Sequence, residues 1–196
     1  MQLFLSDSVA GLFVQVLPLS LLVGFVFASA RWRAQKKKGL TVAWRRELLY
    51  ALFVCYVTGL VNLVLVPTNC WGSFWHYVFT GSAVWSPPRL FSGEFIFTPT
   101  FVRYLTGEFV GSPGRWVLTM MVGNFLMFLP MGVFLPLIFP KLYGRHLLLL
   151  TVSLPLSVEL LQPVLGRSFD ADDLLLNSLG ILMGLTVIAL LRRKNT

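Results

Sequence analysis

Long apolar stretches, each close to the length that crosses a bilayer, most constrain the fold of this chain. Five of them can be traced along the sequence, at residues 9–30, 48–66, 116–139, 147–165 and 172–191. A helix needs about 20 apolar residues to cross the hydrocarbon core of a membrane, because each residue advances it by about 1.5 Å. The sequence therefore predicts an all-α polytopic membrane protein with about five transmembrane helices.

The overall composition excludes an ordinary soluble protein. Of the 196 residues, 56% are hydrophobic and only 12% are charged, whereas about 25% of an average soluble domain is charged. A soluble chain of this length has too little interior to hide so much apolar surface. No internal repeat or low-complexity tract is visible, so one membrane domain is expected to cover residues 1–196.

The longest connection between the spans runs from Pro67 to Arg115. It is rich in aromatic residues, glycines and prolines, and no apolar stretch of about 20 residues fits between its prolines. Aromatic side chains concentrate at the membrane interface. The composition favours a partly interfacial or re-entrant segment, with one short amphipathic helix within Phe95–Phe109 that starts after Pro99.

Basic residues are distributed unequally between the two ends of the predicted spans. Twelve of the 16 Lys and Arg residues fall at one end, in the 31–46 loop, the 140–146 link and the C-terminal tail. Cytoplasmic loops carry an excess of Lys and Arg, so this end is expected inside, with the N-terminus outside. The 67–115 segment and the 166–172 turn then face outward. The net charge of +8 fits anionic lipid headgroups, and no nucleic-acid-binding pattern is present.

Polar residues interrupt the apolar sequence between Glu159 and Gly184. Glu159 and Gln162 are three residues apart and share a helix face. On the next predicted helix, one stripe with the spacing i, i+4, i+7 and i+11 contains Asp173, Asn177, Gly180 and Gly184. Ionisable groups at membrane depth are costly and usually face a protein interior, a cavity or each other. We expect the two helices to pack antiparallel, with this stripe against the Glu159 face.

These polar residues allow a structural and a functional interpretation. In the structural one, Asp170 caps the second helix and Glu159 pairs with Arg167 across the turn. In the functional one, an outward-facing polar pocket binds a cation or a polar headgroup, or moves protons. The residues assigned to this ligand-binding pocket are Asn124, Glu159, Gln162, Arg167, Asp170, Asp173 and Asn177.

The sequence leaves open whether the chain is an enzyme. Burial of a carboxylate changes its proton affinity, as general acid–base catalysis requires, and Glu159 and Asp173 are the catalytic candidates. No H-E-x-x-H, P-loop or G-x-S-x-G motif is present. His76 and His146 fall on opposite sides of the membrane in this topology, so no metal site is expected, and no cofactor can be assigned.

Three segments resemble the VanZ-like family of bacterial membrane proteins. They are N-F-L-M-F-L-P-M-G-V-F-L-P at 124–136, S-V-E-L-L-Q at 157–162 and G-R-S-F-D-A-D-D-L-L-L-N-S-L-G at 166–180. The matching positions include all seven residues of the ligand-binding pocket, and the family-like core covers about residues 48–191.

The resemblance implies a multi-pass protein of the bacterial cytoplasmic membrane. The family's named member is associated with low-level resistance to the glycopeptide teicoplanin, and no settled biochemical activity is attached to the family. Expected partners are membrane lipids and a lipid-linked cell-wall precursor or lipoglycopeptide, and a homo-oligomer is compatible with the sequence. Three functions stay open: a binding protein that limits antibiotic action, an intramembrane enzyme acting on lipid-linked envelope substrates, and a lipid transporter or flippase.

Overall fold

Helices dominate the computed structural model, which describes residues 2–6, 8–82, 89–108, 115–142 and 144–194. The α-helices are α1 Val9–Lys37, α2 Trp44–Val64, α3 Thr68–Thr80, α4 Thr100–Leu105, α5 Arg115–Ile138, α6 Arg145–Leu161 and α7 Ala171–Lys194. Short 3-10 helices cover Gln2–Leu5 and Pro163–Leu165. Two short strands, β1 Phe95–Ile96 and β2 Phe169–Asp170, pair in parallel.

Five of the described helices are long and apolar enough to cross a membrane, namely α1, α2, α5, α6 and α7. This confirms the all-α polytopic fold that the apolar stretches predict. The other two are too short to span, since the 13 residues of α3 extend only about 20 Å and α4 has six residues.

The basic segment between the first two spans is shorter than the predicted loop. α1 continues to Lys37, so Arg31 and Arg33 lie on a helix rather than in a loop. Arg, Ala, Gln and Lys all favour helices, so nothing in this stretch stops α1. The helix ends just before Gly39, whose φ of 64° is accessible to glycine at little cost.

The described residues form two compact units, Met1–Arg89 and Leu90–Thr196. In the first unit, α1 packs against α2, and α3 contacts the start of α1. Gln15 is buried, and its Nε2 donates to the carbonyl oxygens of Phe4 at 3.1 Å and Ser6 at 3.2 Å. The Trp75 indole donates to the Gln15 carbonyl at 2.8 Å and packs against the Phe79 ring.

In the second unit, glycines allow α5 and α7 to approach closely. A Cβ atom on Gly180 would overlap the backbone carbonyl of Phe125 in α5, and one on Gly184 would overlap that of Leu129. The glycine half of the α7 stripe therefore packs against α5, and the expectation that it meets α6 is wrong. Small residues let membrane helices pack backbone to backbone, and α5 carries the complementary Gly132.

Residues 95–108 also differ from the predicted single amphipathic helix, and Phe109 lies outside the described residues. The helix does start after Pro99, as Thr100–Leu105, but Phe95 and Ile96 form the strand β1 instead. Their backbone groups pair with β2, which follows the turn after α6. The segment is thereby attached to the hairpin that carries Glu159.

Candidate functional site

Glu159 lies fully buried in the second unit, on the inner face of α6 with Thr151 and Pro155. Its Oε2 accepts a hydrogen bond from the backbone N–H of Asp170 at 3.0 Å. Its Oε1 is also buried and has no hydrogen-bond partner among the described residues. Since burying a carboxylate oxygen without a donor is costly, Oε1 is suited to a donor supplied from outside the protein or to a proton.

Asn177 provides a second buried acceptor in this unit. It lies on α7, is only 3% exposed, and its Oδ1 has no hydrogen-bond partner within the described part of the chain. Gln162 is equally buried and lies at the end of α6, where its backbone carbonyl accepts the N–H of Arg167 at 2.9 Å. This backbone hydrogen bond holds the turn at Arg167 against the C-terminal end of α6.

Asp170 and Asp172 satisfy backbone donors at helix starts. The Asp170 Oδ1 accepts the N–H of Asp172 at 2.9 Å, which caps the first turn of α7. The Asp172 Oδ2 accepts the N–H of Thr100 at 2.6 Å, at the first residue of α4. The structural interpretation therefore accounts for the position of both side chains, although only Asp170 belongs to the predicted pocket.

Asn124 connects α5 to the polar end of α7. Its Nδ2 donates a hydrogen bond to the Oδ1 of Asp173. Both side chains are partly buried, and a hydrogen bond to an ionised group is stronger than one between neutral groups. This contact places Asn124, on the third predicted span, beside Asp173 at the start of α7.

Arg167 lies within the electrostatic influence of Glu159 and Asp173. Desolvation lowers the pKa of the Arg167 guanidinium, while the charges of Asp173 and Glu159 act in the opposite direction. Desolvation raises the pKa of Asp170, and the hydrogen bond from the Asp172 N–H partly offsets this effect. The Arg167 guanidinium thus lies where the charges of two carboxyl groups, those of Glu159 and Asp173, act on it.

The residues that the sequence analysis places in one pocket are therefore not equivalent in the structure. We call Glu159, Arg167, Asp170 and Asp173 the polar cluster, because each acts on others of the group through its charge. Asn124 joins the polar cluster by its bond to Asp173. Asn177 lies one helical turn after Asp173 on α7, and Gln162 lies at the C-terminal end of α6.

The Leu90–Phe97 segment contacts the turn that carries the polar cluster, a contact that the sequence pattern does not predict. The Phe91 N–H donates to the Val164 carbonyl at 3.0 Å, and the Gly93 N–H donates to that of Pro163 at 3.3 Å. The Phe169 N–H donates to the Glu94 carbonyl at 2.8 Å. The aromatic and β-branched residues at 95–97 favour a strand, but a run of three apolar residues carries no periodic signal.

Aromatic rings gather beside the polar cluster. Phe169 is buried, and its ring centroid lies 5.7 Å from that of Phe95 and 5.4 Å from that of Phe97. The rings of Phe91, Phe95 and Phe97 are more than half exposed. An exposed aromatic surface thus borders a buried polar one.

Replacing Gly93 by alanine is expected to detach the Leu90–Phe97 segment. A Cβ atom there would overlap the Arg167 carbonyl and the Pro163 backbone, and such overpacking costs about 1–3 kcal/mol. Amide hydrogen exchange should become about tenfold faster at Phe91 and Phe169, which corresponds to about 1.4 kcal/mol. Gly123→Ala is the control, because its Cβ meets no described atom within 4 Å. Equal exchange in both variants would contradict this account.

A family model described as VanZ/LLP1 matches residues 13–192. No curated protein and no solved structure matches the chain. Among the described residues, no group of three or more His, Cys, Asp or Glu side chains is placed to hold a metal ion.

Proposed function

Since the chain belongs to the VanZ/LLP1 family, whose model matches residues 13–192, we propose that it binds a lipid-linked cell-envelope molecule or a lipoglycopeptide. The family assignment and the multi-pass membrane architecture confirm the resemblance found in the sequence. The proposed location is the bacterial cytoplasmic membrane, with the N-terminus outside and the C-terminus inside. The proposed effect is a reduced sensitivity to glycopeptides such as teicoplanin.

The buried, unpartnered acceptors in the second unit are the observation that supports binding. Glu159 Oε1 and Asn177 Oδ1 can each accept a hydrogen bond from an amine, a hydroxyl or an amide of a ligand. Arg167 can pair with a phosphate or a carboxylate, since its planar guanidinium suits both anions. A ligand with both anionic and donor groups would match this arrangement.

The exposed aromatic rings favour a ligand that also carries an apolar tail. Phe91 is 78% exposed and Phe97 is 70% exposed, and both belong to the segment that crosses the Arg167 turn. Such rings can hold an acyl chain or lie at the level of the headgroups. In the proposed orientation this surface faces the outer leaflet, where lipid-linked cell-wall precursors are presented.

Substitutions in the polar cluster test the binding proposal. In cells expressing each variant at matched membrane levels, Arg167→Ala, Asp170→Ala and Glu159→Gln should lower teicoplanin resistance. Loss of one hydrogen bond to a charged group, worth about 1.5–3 kcal/mol, weakens binding by roughly tenfold or more. Arg33→Ala and Glu108→Gln are charge-matched controls, because both residues are exposed and lie outside the polar cluster. Unchanged sensitivity in all three site variants would refute the proposal.

The free Oε1 of Glu159 also favours a second candidate, an intramembrane enzyme with Glu159 as general base. Its unpartnered oxygen is the group that could accept a proton from a substrate. Purified protein would be incubated with labelled envelope lipids, with and without divalent metal. Turnover that Glu159→Gln abolishes would support the enzyme, and the absence of any product would exclude it for those lipids.

A further inference from the structure

A separate polar pocket lies in the Met1–Arg89 unit, where α1 ends and α2 begins. Its volume is about 420 Å³, and its polar lining residues are Arg31, Gln35, Lys38, Thr41, Arg46 and Glu47. The pocket forms because α1 ends at Lys37 and α2 begins at Trp44, so that the short connection between them folds over the paired helix ends. It is distinct from the polar cluster, which lies in the other unit.

One wall of this pocket is fixed by an ion pair. Arg31 Nε and Nη2 donate to the two carboxylate oxygens of Glu47 at 2.6 and 2.8 Å, and Gln35 Nε2 donates to Glu47 Oε1 at 2.7 Å. Arg31 also stacks over the Tyr50 ring at 4.6 Å. The single carboxylate of the pocket is therefore neutralised by a two-pronged arginine contact, the geometry that gives strong pairing.

Two further cations give the pocket an excess of positive charge. Arg46 Nε donates to the Tyr50 hydroxyl at 2.9 Å, which orients the guanidinium and leaves its Nη groups for a ligand. The Lys38 side chain is exposed at the connection. With Arg31, Lys38 and Arg46 against Glu47 alone, the pocket carries a formal net charge of +2, which favours an anion.

A buried acceptor in the same pocket adds a second requirement. Gln35 Oε1 is buried and has no hydrogen-bond partner among the described residues, because its amide nitrogen is the atom that faces Glu47. An acceptor oxygen needs a donor such as a hydroxyl group. A fully ionised phosphate ester without a hydroxyl group would satisfy the cations but would have no donor for this oxygen.

We propose that this pocket binds a phosphate ester that carries a neighbouring hydroxyl group, as a glycerol phosphate group does. The phosphate would contact Arg46 and Lys38, and the hydroxyl would donate to Gln35 Oε1. Such a group is available as the headgroup of phosphatidylglycerol or as soluble glycerol phosphate. Trp32 and Trp44 follow the lining residues Arg31 and Ala43 in sequence and have exposed rings, and exposed tryptophans are typical of the membrane interface.

Lipid binding to the purified full chain in detergent tests the proposal by native mass spectrometry. Dioleoyl phosphatidylglycerol should bind more tightly than dioleoyl phosphatidylcholine. Arg46→Gln should weaken phosphatidylglycerol binding about fivefold, the effect of one basic residue on an anionic headgroup. Arg45→Gln is the matched control, because Arg45 is its exposed neighbour on α2 and does not line the pocket. It should change binding less than about twofold, since Arg45 is as exposed as Arg46 but lies outside the lining of the pocket.

Two further arms address the hydroxyl and the source of the ligand. Dioleoyl phosphatidylethanol, an anionic phosphodiester without a free hydroxyl, should bind about fivefold more weakly than phosphatidylglycerol, the effect of one hydrogen bond. If soluble glycerol 3-phosphate displaces phosphatidylglycerol only at a far higher concentration than that of the lipid, the site belongs to the lipid. If it displaces the lipid at a far lower concentration, the site belongs to the soluble anion. Equal loss in Arg45→Gln and Arg46→Gln, or no binding of either compound, would overturn the proposal.

Discussion

Replacing Gly180 by alanine should lower the free energy of unfolding by about 2–3 kcal/mol, the upper part of the range for overpacking. The added methyl would overlap the backbone carbonyl of Phe125 and crowd the amide nitrogen of Leu129. A side chain can change rotamer to relieve such a contact, but a backbone carbonyl can move only if α5 and α7 separate. The change can be measured by titrating SDS into mixed micelles and following helicity.

The same substitution at Gly123 provides the comparison. Gly123 lies on α5, and its Cβ would meet no described atom within 4 Å. Because alanine favours a helix over glycine by about 0.5–1 kcal/mol, Gly123→Ala should leave stability unchanged or raise it. If both variants lost the same free energy, the close contact with α5 would not explain the Gly180 result, because Gly123 makes no such contact.

Removing the amide of Asn124 should also be strongly destabilising. Asn124→Ala leaves the Asp173 carboxyl group, partly buried at the start of α7, without the donor that contacts its Oδ1. A hydrogen bond to a charged group contributes about 1.5–3 kcal/mol, and we expect a loss within this range in the same SDS titration. Leu126→Ala on the same helix is the control, because Leu126 is 54% exposed.

A double-mutant cycle separates the bond from the other effects of the two residues. The variant Asn124→Ala/Asp173→Ala should lose clearly less free energy than the sum of the two single variants, because neither partner is then left unpaired. Strict additivity would show that the contact contributes nothing to stability.

The five spans could be predicted from the sequence, because their length and apolar character depend on the residues of each span alone. The approximate helix limits followed for the same reason. The basic stretch after Ala30 was predicted as a loop because its charges end the apolar run, but α1 continues through it since no proline or glycine interrupts it before Gly39. The spacing of Asp173, Asn177, Gly180 and Gly184 correctly defined one face of α7.

The helix that packs against that face of α7 could not be predicted, because helical periodicity indicates which residues share a face but not which element contacts it. Gly180 and Gly184 contact α5 instead of the neighbouring α6, since Gly132 offers a complementary surface. The pairing of Phe95 with Phe169 joins residues that are far apart in the chain, and two-residue strands carry almost no periodic signal. Nor does spacing alone reveal that Arg31 reaches Glu47.

The hydrogen bonds of the Leu90–Phe97 segment have a kinetic consequence. Phe91 and Gly93 donate to the carbonyls of Val164 and Pro163. A ligand of the proposed kind that entered past this segment would bind only after these bonds opened. The observed rate of association would then rise with ligand concentration only up to a ceiling set by the opening rate. Gly93→Ala should raise that ceiling.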